Sequence, residues 1–181
     1  YDFSHDKLRE AAYGSLGRTS RRWLHGRVAR ALEQLHSADL DRAAGAIAEH
    51  YERAHLPAQA IAYYHRAALA ARAVYAQQEA LAALTRASRL LDTFAEPGQR
   101  RPWETQVLEL VGDLRELLAE HAVAREAYTA VLACLPNDDC VAQARVRRKI
   151  GKTLESERTS YDQVVAHYAA AEALLGAPGE G

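Results

Sequence analysis

An all-α chain, folded as a stack of antiparallel helical hairpins, is what the sequence predicts. Alanine makes up roughly a fifth of the 181 residues, against 10 Gly and 5 Pro; alanine loses no side-chain entropy on entering a helix. Nowhere does apolar/polar alternation persist among β-branched residues, so no strand is expected. The segments between helix start and stop signals are mostly two to five residues long. Links that short force neighbouring helices to run antiparallel.

The start and stop signals divide the chain into about nine helices. Ser4 caps a short one reaching about Tyr13, with Asp6 near the positive end of its dipole. Gly14 and Gly17 end it, and Thr19 or Ser20 caps a second helix running to about His36. Asp39 opens a third, ending near Ala54. Pro57 suits a first helical position, where its missing N–H costs nothing, and that helix reaches about Tyr75. The next spans Gln77 to Thr93. The run Glu96-Pro97-Gly98-Gln99-Arg100-Arg101-Pro102 reads as a linker. Helices then follow at about 103–119, 122–135, 138–156 and 161–175, with residues 177–181 expected to fray.

Internal spacing repeats. Leu108-x2-Val111-Gly112-x2-Arg115 is followed by Ala124-x3-Tyr128-x2-Val131 and Pro136. The same spacing recurs in Ala44-x2-Ile47-Ala48-x2-Tyr51, then Ala60-x3-Tyr64-x2-Ala67. In both, the small residue of the first helix lies twelve before the alanine of the second. Ala80-x3-Leu84-x2-Ala87 is a looser copy, following Ala60 by only 20 residues, so the helix from Pro57 is expected to serve two hairpins. Ile150-Gly151 with Val164-x3-Tyr168-x2-Ala171 is a further copy with one extra residue in its connection. This pattern resembles the tetratricopeptide repeat, in which two helices meet at small residues and an aromatic fills the gap beside them. The resemblance implies a right-handed superhelix and makes Ala48, Tyr51, Ala60, Tyr64, Gly112, Ala124, Tyr128, Pro136, Gly151 and Tyr168 the packing positions. Ala44, Arg72 and Arg115 depart from the repeat pattern, at its bulky first position, its Pro and its Tyr respectively.

The first 36 residues carry a more specific resemblance. Tyr1-Asp2-Phe3-Ser4-His5-Asp6-Lys7-Leu8-Arg9-Glu10-Ala11-Ala12-Tyr13, followed by Arg21-Arg22-Trp23-Leu24-His25-Gly26-Arg27-Val28-Ala29-Arg30-Ala31-Leu32-Glu33, resembles the joining segment of the large bacterial STAND regulators, signal-transduction ATPases with numerous domains. In these, a nucleotide-binding domain and a winged helix precede tetratricopeptide-like arms. The resemblance divides the chain into winged-helix and ATPase-linking helices (1–37), helical repeats (38–95), a linker (96–102), two further hairpins (103–176) and a tail (177–181). It also implies that His5 touches bound ADP in the parent protein; a helix-capping or partly buried histidine is the alternative. With no methionine at position 1 or elsewhere, the chain reads as a piece of a longer protein. No Gly-rich loop ending in Lys-Ser/Thr is present, so ATP or ADP is expected in the parent protein and no cofactor in this piece.

Composition narrows the remaining classes. Two cysteines fit a reducing cytoplasm and exclude a disulfide scaffold. No run approaches 18 apolar residues, so no membrane partner is expected. A formal charge of −1 argues against a dedicated nucleic-acid binder. His50 and His55 lie five apart, about 140° around a helix, and do not make a zinc pair. Cys134 and Cys140 lack the second thiol pair of a four-cysteine zinc site, so no metal is expected. The serines sit at caps and helix ends, and no catalytic constellation emerges.

One cationic cluster stands out. Arg145, Arg148 and Lys152 are spaced three and four apart and share a helix face, while Arg147 and Lys149 are expected to face solvent. The tetratricopeptide resemblance puts these positions on the concave groove, where they would hold an anion or an acidic peptide. Glu109 and Asp113 stand at equivalent positions of the neighbouring hairpin and would alternatively pair with them. Trp23 is expected in an apolar stripe with Val28 and Leu32. The expected function is a non-catalytic sensor or interaction arm of a STAND-type regulator. It would bind an effector protein, peptide or ligand and dock its basic N-terminal segment against the ATPase domain; the alternative is a free-standing adaptor.

Overall fold

The structure, a computed structural model, describes residues 7, 10–11, 13–94, 97–158 and 161–176. His5, the frayed tail and the capping role of Ser4 lie outside the described residues. Helical residues up to Ser15 precede eight described helices: α1 (Arg18–Leu35), α2 (Leu40–Arg53), α3 (Pro57–Ala73), α4 (Gln77–Leu91), α5 (Pro97–Leu117), α6 (His121–Cys134), α7 (Cys140–Ser156) and α8 (Tyr161–Gly176). No strand occurs among the described residues. The fold is an all-α stack in which each helix packs on the one before it. Alternate helices also meet: α3 touches α5, ion pairs join α2 to α4, and others join α5 to α7.

The turns explain how the stack stays tight. His55, Tyr75 and Ala119 have φ of 58°, 61° and 59°, each two residues beyond a helix end. Around the first of them, the His55 amide donates to the Glu52 carbonyl at 3.0 Å and the Leu56 amide to the Tyr51 carbonyl at 3.0 Å. This is the paired closure of a Schellman cap, normally built on glycine. Leu56 then serves directly as N-cap of α3. Ala76 and Glu120 follow Tyr75 and Ala119 in the same way. A helix end, one left-handed residue and one N-cap residue thus reverse the chain in three residues. The sequence gives little warning, because none of the three is glycine.

Several expected boundaries shift. α1 begins after Gly17 with no side-chain cap, so Thr19 and Ser20 lie inside the helix. Asp39 caps α2 by accepting from the Arg42 amide at 3.4 Å, and Asp139 caps α7 by accepting from the Ala142 amide at 3.0 Å. The largest correction concerns residues 97–102, which are not a linker. They form the opening of α5, with Pro102 inside the helix. Pro102 falls in the second turn, where it removes one backbone bond. The ion pairs of Arg100 with Glu104, at 2.9 Å, and with Asp92, at 3.4 Å, tie this turn to itself and to the end of α4.

Two apolar clusters hold the stack. One runs from Ala29 on α1 to Leu114 on α5 and centres on the fully buried Ile47, Ile61, Leu84 and Val107. Each such side chain contributes about 1.5–3 kcal/mol on burial. The second joins Ala124, Tyr128 and Val131 of α6 to Val146, Ile150 and Leu154 of α7. α3 packs comparably on α2 and α4, so it does serve two neighbours. Trp23 does not join an apolar stripe: it is 56% exposed, with the Arg27 guanidinium 4.7 Å from its ring centre.

Candidate functional site

The site grows from the repeat's packing. Gly112 on α5 faces Tyr128 on α6; a Cβ there would meet the ring at Cε1, at Cδ1 (2.7 Å) and at Cζ (2.9 Å). Only a glycine admits the ring so closely. The buried Tyr128 hydroxyl donates to Asp113 at 2.8 Å and to Glu116 at 3.1 Å. Burial first, and these acceptors second, push its pKa well above the ordinary phenol value. The Tyr64 hydroxyl likewise donates to Glu52, and the Tyr168 hydroxyl to Glu155 at 3.1 Å. Gly151 stands to Tyr168 as Gly112 does to Tyr128, with looser hypothetical contacts of 3.0–3.3 Å. In the three copies that carry this tyrosine, an acceptor follows the small residue by four: Ala48 and Glu52, Gly112 and Glu116, Gly151 and Glu155. Those glutamates escaped the sequence reading, although one helical turn from the small residue is where a tyrosine hydroxyl would reach.

The other packing positions fall as follows. Ala48, Tyr51, Ala60 and Ala124 are buried, and Tyr168 is half-buried. Pro136 is exposed in the α6–α7 connection, where its carbonyl accepts from the Asp139 amide at 3.3 Å. It closes the turn and adds nothing to the core.

Across α5 and α7 runs a charge ladder. Arg145 Nε and Nη2 donate to the two Glu109 carboxylate oxygens, both at 3.0 Å. Lys149 Nζ bridges Glu109 at 2.8 Å and Asp113 at 2.6 Å, and lies 5.4 Å from the Tyr128 ring centre. Lys152 pairs with Glu116 at 2.6 Å. Lys149 therefore does not face solvent, contrary to expectation. At about 100° per residue, positions 145, 149 and 152 fall within about 60° of one another, while Arg148 lies about 40° beyond the Lys152 edge of that sector, on the side away from Lys149. Arg148 is accordingly turned toward Tyr168 on α8; it is exposed and forms no ion pair among the described residues. Arg147 is half-buried. Of the three cations singled out from sequence, Arg145 and Lys152 meet acids of α5, and Arg148 is left over.

A similar arrangement joins α2 and α4. Arg86 bonds Glu49 at 2.6 Å and Glu52 at 3.0 Å, with its guanidinium 4.9 Å from the Tyr64 ring centre. Asp113 also receives Arg72 from α3, at 3.3 Å.

The N-terminal region holds a second polar cluster, unforeseen from sequence. His25 Nδ1 and His50 Nδ1 are 2.9 Å apart, and the Tyr13 hydroxyl is 2.9 Å from His25 Nε2. His25 is only 8% exposed, and burial holds both imidazoles below the usual histidine pKa. Residues 25 apart on separate helices leave no periodic signal. His55 lies beyond α2 in the turn. No group of three or more metal-ligating side chains occurs among the described residues. Cys134 and Cys140 are free thiols, and burial raises the Cys134 pKa. No described helix is long and apolar enough to cross a membrane.

Stacked hairpins, small-residue contacts and shielded tyrosines define a tetratricopeptide-like helical repeat. The fold is similar to that in the crystal structure of MamA protein, with a TM-score of 0.53 and 18% sequence identity over 97% of this chain and 89% of that one. No family model and no curated protein matches the chain.

Proposed function

We propose that the chain is a non-catalytic protein-interaction and sensor arm of a bacterial STAND-type regulator. The observation that carries the interaction reading is the stack itself. Each hairpin presents charged side chains across its junction with the next, and an array whose units touch only their neighbours offers an extended surface that responds to contacts along its length. Arg145, Arg148 and Lys152, with Glu109 and Asp113, are the candidate contact residues for a protein or peptide effector. The regulator reading is supported by the resemblance of residues 1–36 to the joining segment of such ATPases. On this reading those residues dock on an upstream nucleotide domain in the cytoplasm, and His5 touches its ADP. A shift between an ADP-held and an ATP-bound state requires only a few kcal/mol of differential effector affinity.

The test is made in the full-length protein. Deleting residues 38–176 should abolish effector-dependent nucleotide exchange, and His5→Ala should speed ADP release several-fold. A deletion protein that still responds, with ADP release unchanged by His5→Ala, refutes the regulator reading. Affinity capture with the 181-residue chain tests the interaction reading; failure to retain any protein specifically refutes it.

A further inference from the structure

We propose that Tyr13, His25 and His50 form a proton-operated latch on the N-terminal half of α1. It stays closed while the two imidazoles hold at most one added proton between them, and a second added proton opens it. The proposal goes beyond the interaction reading and does not depend on it.

The geometry sets the limit of one. His25 Nδ1 and His50 Nδ1 lie 2.9 Å apart. At that separation one of the two atoms carries the proton and the other offers its lone pair. The Tyr13 hydroxyl, 2.9 Å from His25 Nε2, suits either case, donating to a bare nitrogen or accepting from a protonated one. With both imidazoles neutral, His25 Nδ1–H donates to His50 and the Tyr13 hydroxyl donates to His25 Nε2, or both bonds run the other way. One added proton is accommodated as well: a doubly protonated His25 donates from both nitrogens, to His50 Nδ1 and to the Tyr13 oxygen. A second added proton puts N–H on both Nδ1 atoms. Two donors and two positive charges then stand face to face, and the contact cannot persist.

Among the described residues, the surroundings do not compensate two charges. His25 is almost fully buried. On α1, the Arg21 guanidinium lies 4.8 Å from the Tyr13 ring centre, Arg22 is exposed, and Glu33 accepts from the Tyr51 hydroxyl. On α2, Arg53 adds positive charge, and Glu49 is already engaged by Arg53 at 3.8 Å and by Arg86 of α4 at 2.6 Å. Glu52 is held by Tyr64 and Arg86, and Arg66 of α3 pairs with Asp41 at the far end of α2. Lys7 and Glu10, ahead of α1, are exposed. Burial, then the facing imidazole and Arg53, keep His25 below the usual histidine pKa; at His50, burial and Arg53 outweigh Glu49.

The opening is local. About two turns beyond His25, the Tyr51 hydroxyl donates to Glu33 at 2.8 Å, and Ala29, Ile47 and Ala48 lie in the shared apolar cluster. The C-terminal half of α1 therefore stays pinned while residues 13–25 lose their polar tie to α2. The segment around Gly14 is bound to α1 itself, because Arg21 donates to the Gly14 and Leu16 carbonyls at 2.7 and 2.9 Å. It leaves with that half of the helix.

The test uses the intact 181-residue chain. Amide hydrogen exchange read by NMR, corrected for the intrinsic rate at each pH, reports the opening segment by segment. Between pH 7.5 and 5.0, the protection of residues 21–27 should fall at least tenfold more than that of α4 and α6. His50→Asn offers an acceptor near the place of Nδ1 but takes up no proton, and should remove that excess. The imidazole 15N shifts of the unaltered chain need no variant: those of His25 and His50 should move in two separated steps, with protection lost at the second. An equal fall across the stack, an excess that persists in folded His50→Asn, or two independent single-step titrations overturns the proposal.

Discussion

Replacing Gly112 by alanine tests the packing logic most directly. The added Cβ would sit against Tyr128 Cε1, 2.7 Å from Cδ1 and 2.9 Å from Cζ. The ring is fully buried and tethered by hydroxyl bonds to Asp113 and Glu116, so it cannot swing away cheaply. Overpacking of this kind costs about 1–3 kcal/mol. Losing a hydrogen bond to a charged acceptor costs about 1.5–3 kcal/mol if the ring does move. Alanine returns about 1 kcal/mol of helix propensity. The net expectation is a destabilisation of about 2 kcal/mol, or a fall in Tm of about 4–8 °C for a chain of this size.

Two sister substitutions calibrate it. Gly151→Ala meets Tyr168 at 3.0–3.3 Å, but that ring is only half-buried and has room to shift. Its clash and its propensity gain should nearly cancel, within about 1 kcal/mol. Gly45→Ala meets nothing within 4 Å on an exposed face of α2 and should stabilise by about 0.5–1 kcal/mol. Urea and thermal melts followed by circular dichroism at 222 nm give the order. If Gly112→Ala proves as stable as the wild type, the ring is not locked and the reasoning fails.

Three further outcomes are expected. Lys149→Ala should cost about 1 kcal/mol, less at high salt, because the lysine neutralises Glu109 and Asp113 at a partly exposed site; Arg148→Ala should stay within about 0.5 kcal/mol in the same melts. Tyr75→Gly should stabilise by about 0.5 kcal/mol, since an 83% exposed tyrosine at φ 61° gives up a left-handed strain that glycine does not feel; a lower melting temperature would contradict this. The lowered pKa values of His25 and His50 mean that protonation favours the unfolded chain. Their contribution is full above the unfolded value near 6.5 and is lost as pH falls below it, so melting between pH 7.5 and 5.5 should decline, and less steeply in His25→Gln/His50→Gln. His65 and His167, lowered by burial in the same way, account for the slope that remains.

The sequence by itself determined the helical class, most helix bodies and the hairpin contact. Alanine content and 3.6-residue periodicity act within one helix, and the spacing of twelve between Gly112 and Ala124 acts within one hairpin. Tyr128 beside Gly112 was legible for that reason. Tertiary structure decided what depends on the angle between helices. Lys149 looked solvent-facing and is instead the bridge to α5, because a rotation of about 40° per i+4 step carries it onto the α5 side, while Arg148 turns toward α8. The left-handed turns at His55, Tyr75 and Ala119 were hidden because favourable packing on both sides holds non-glycine residues where glycine would signal a stop. Residues 97–102 carry two prolines and a glycine and still open a helix, since a helix's first turn needs no internal amide bonds and the contacts of Arg100 with Glu104 and Asp92 support the second. The His25–His50 contact, between residues with no local relation, exists only because α1 and α2 cross where they do.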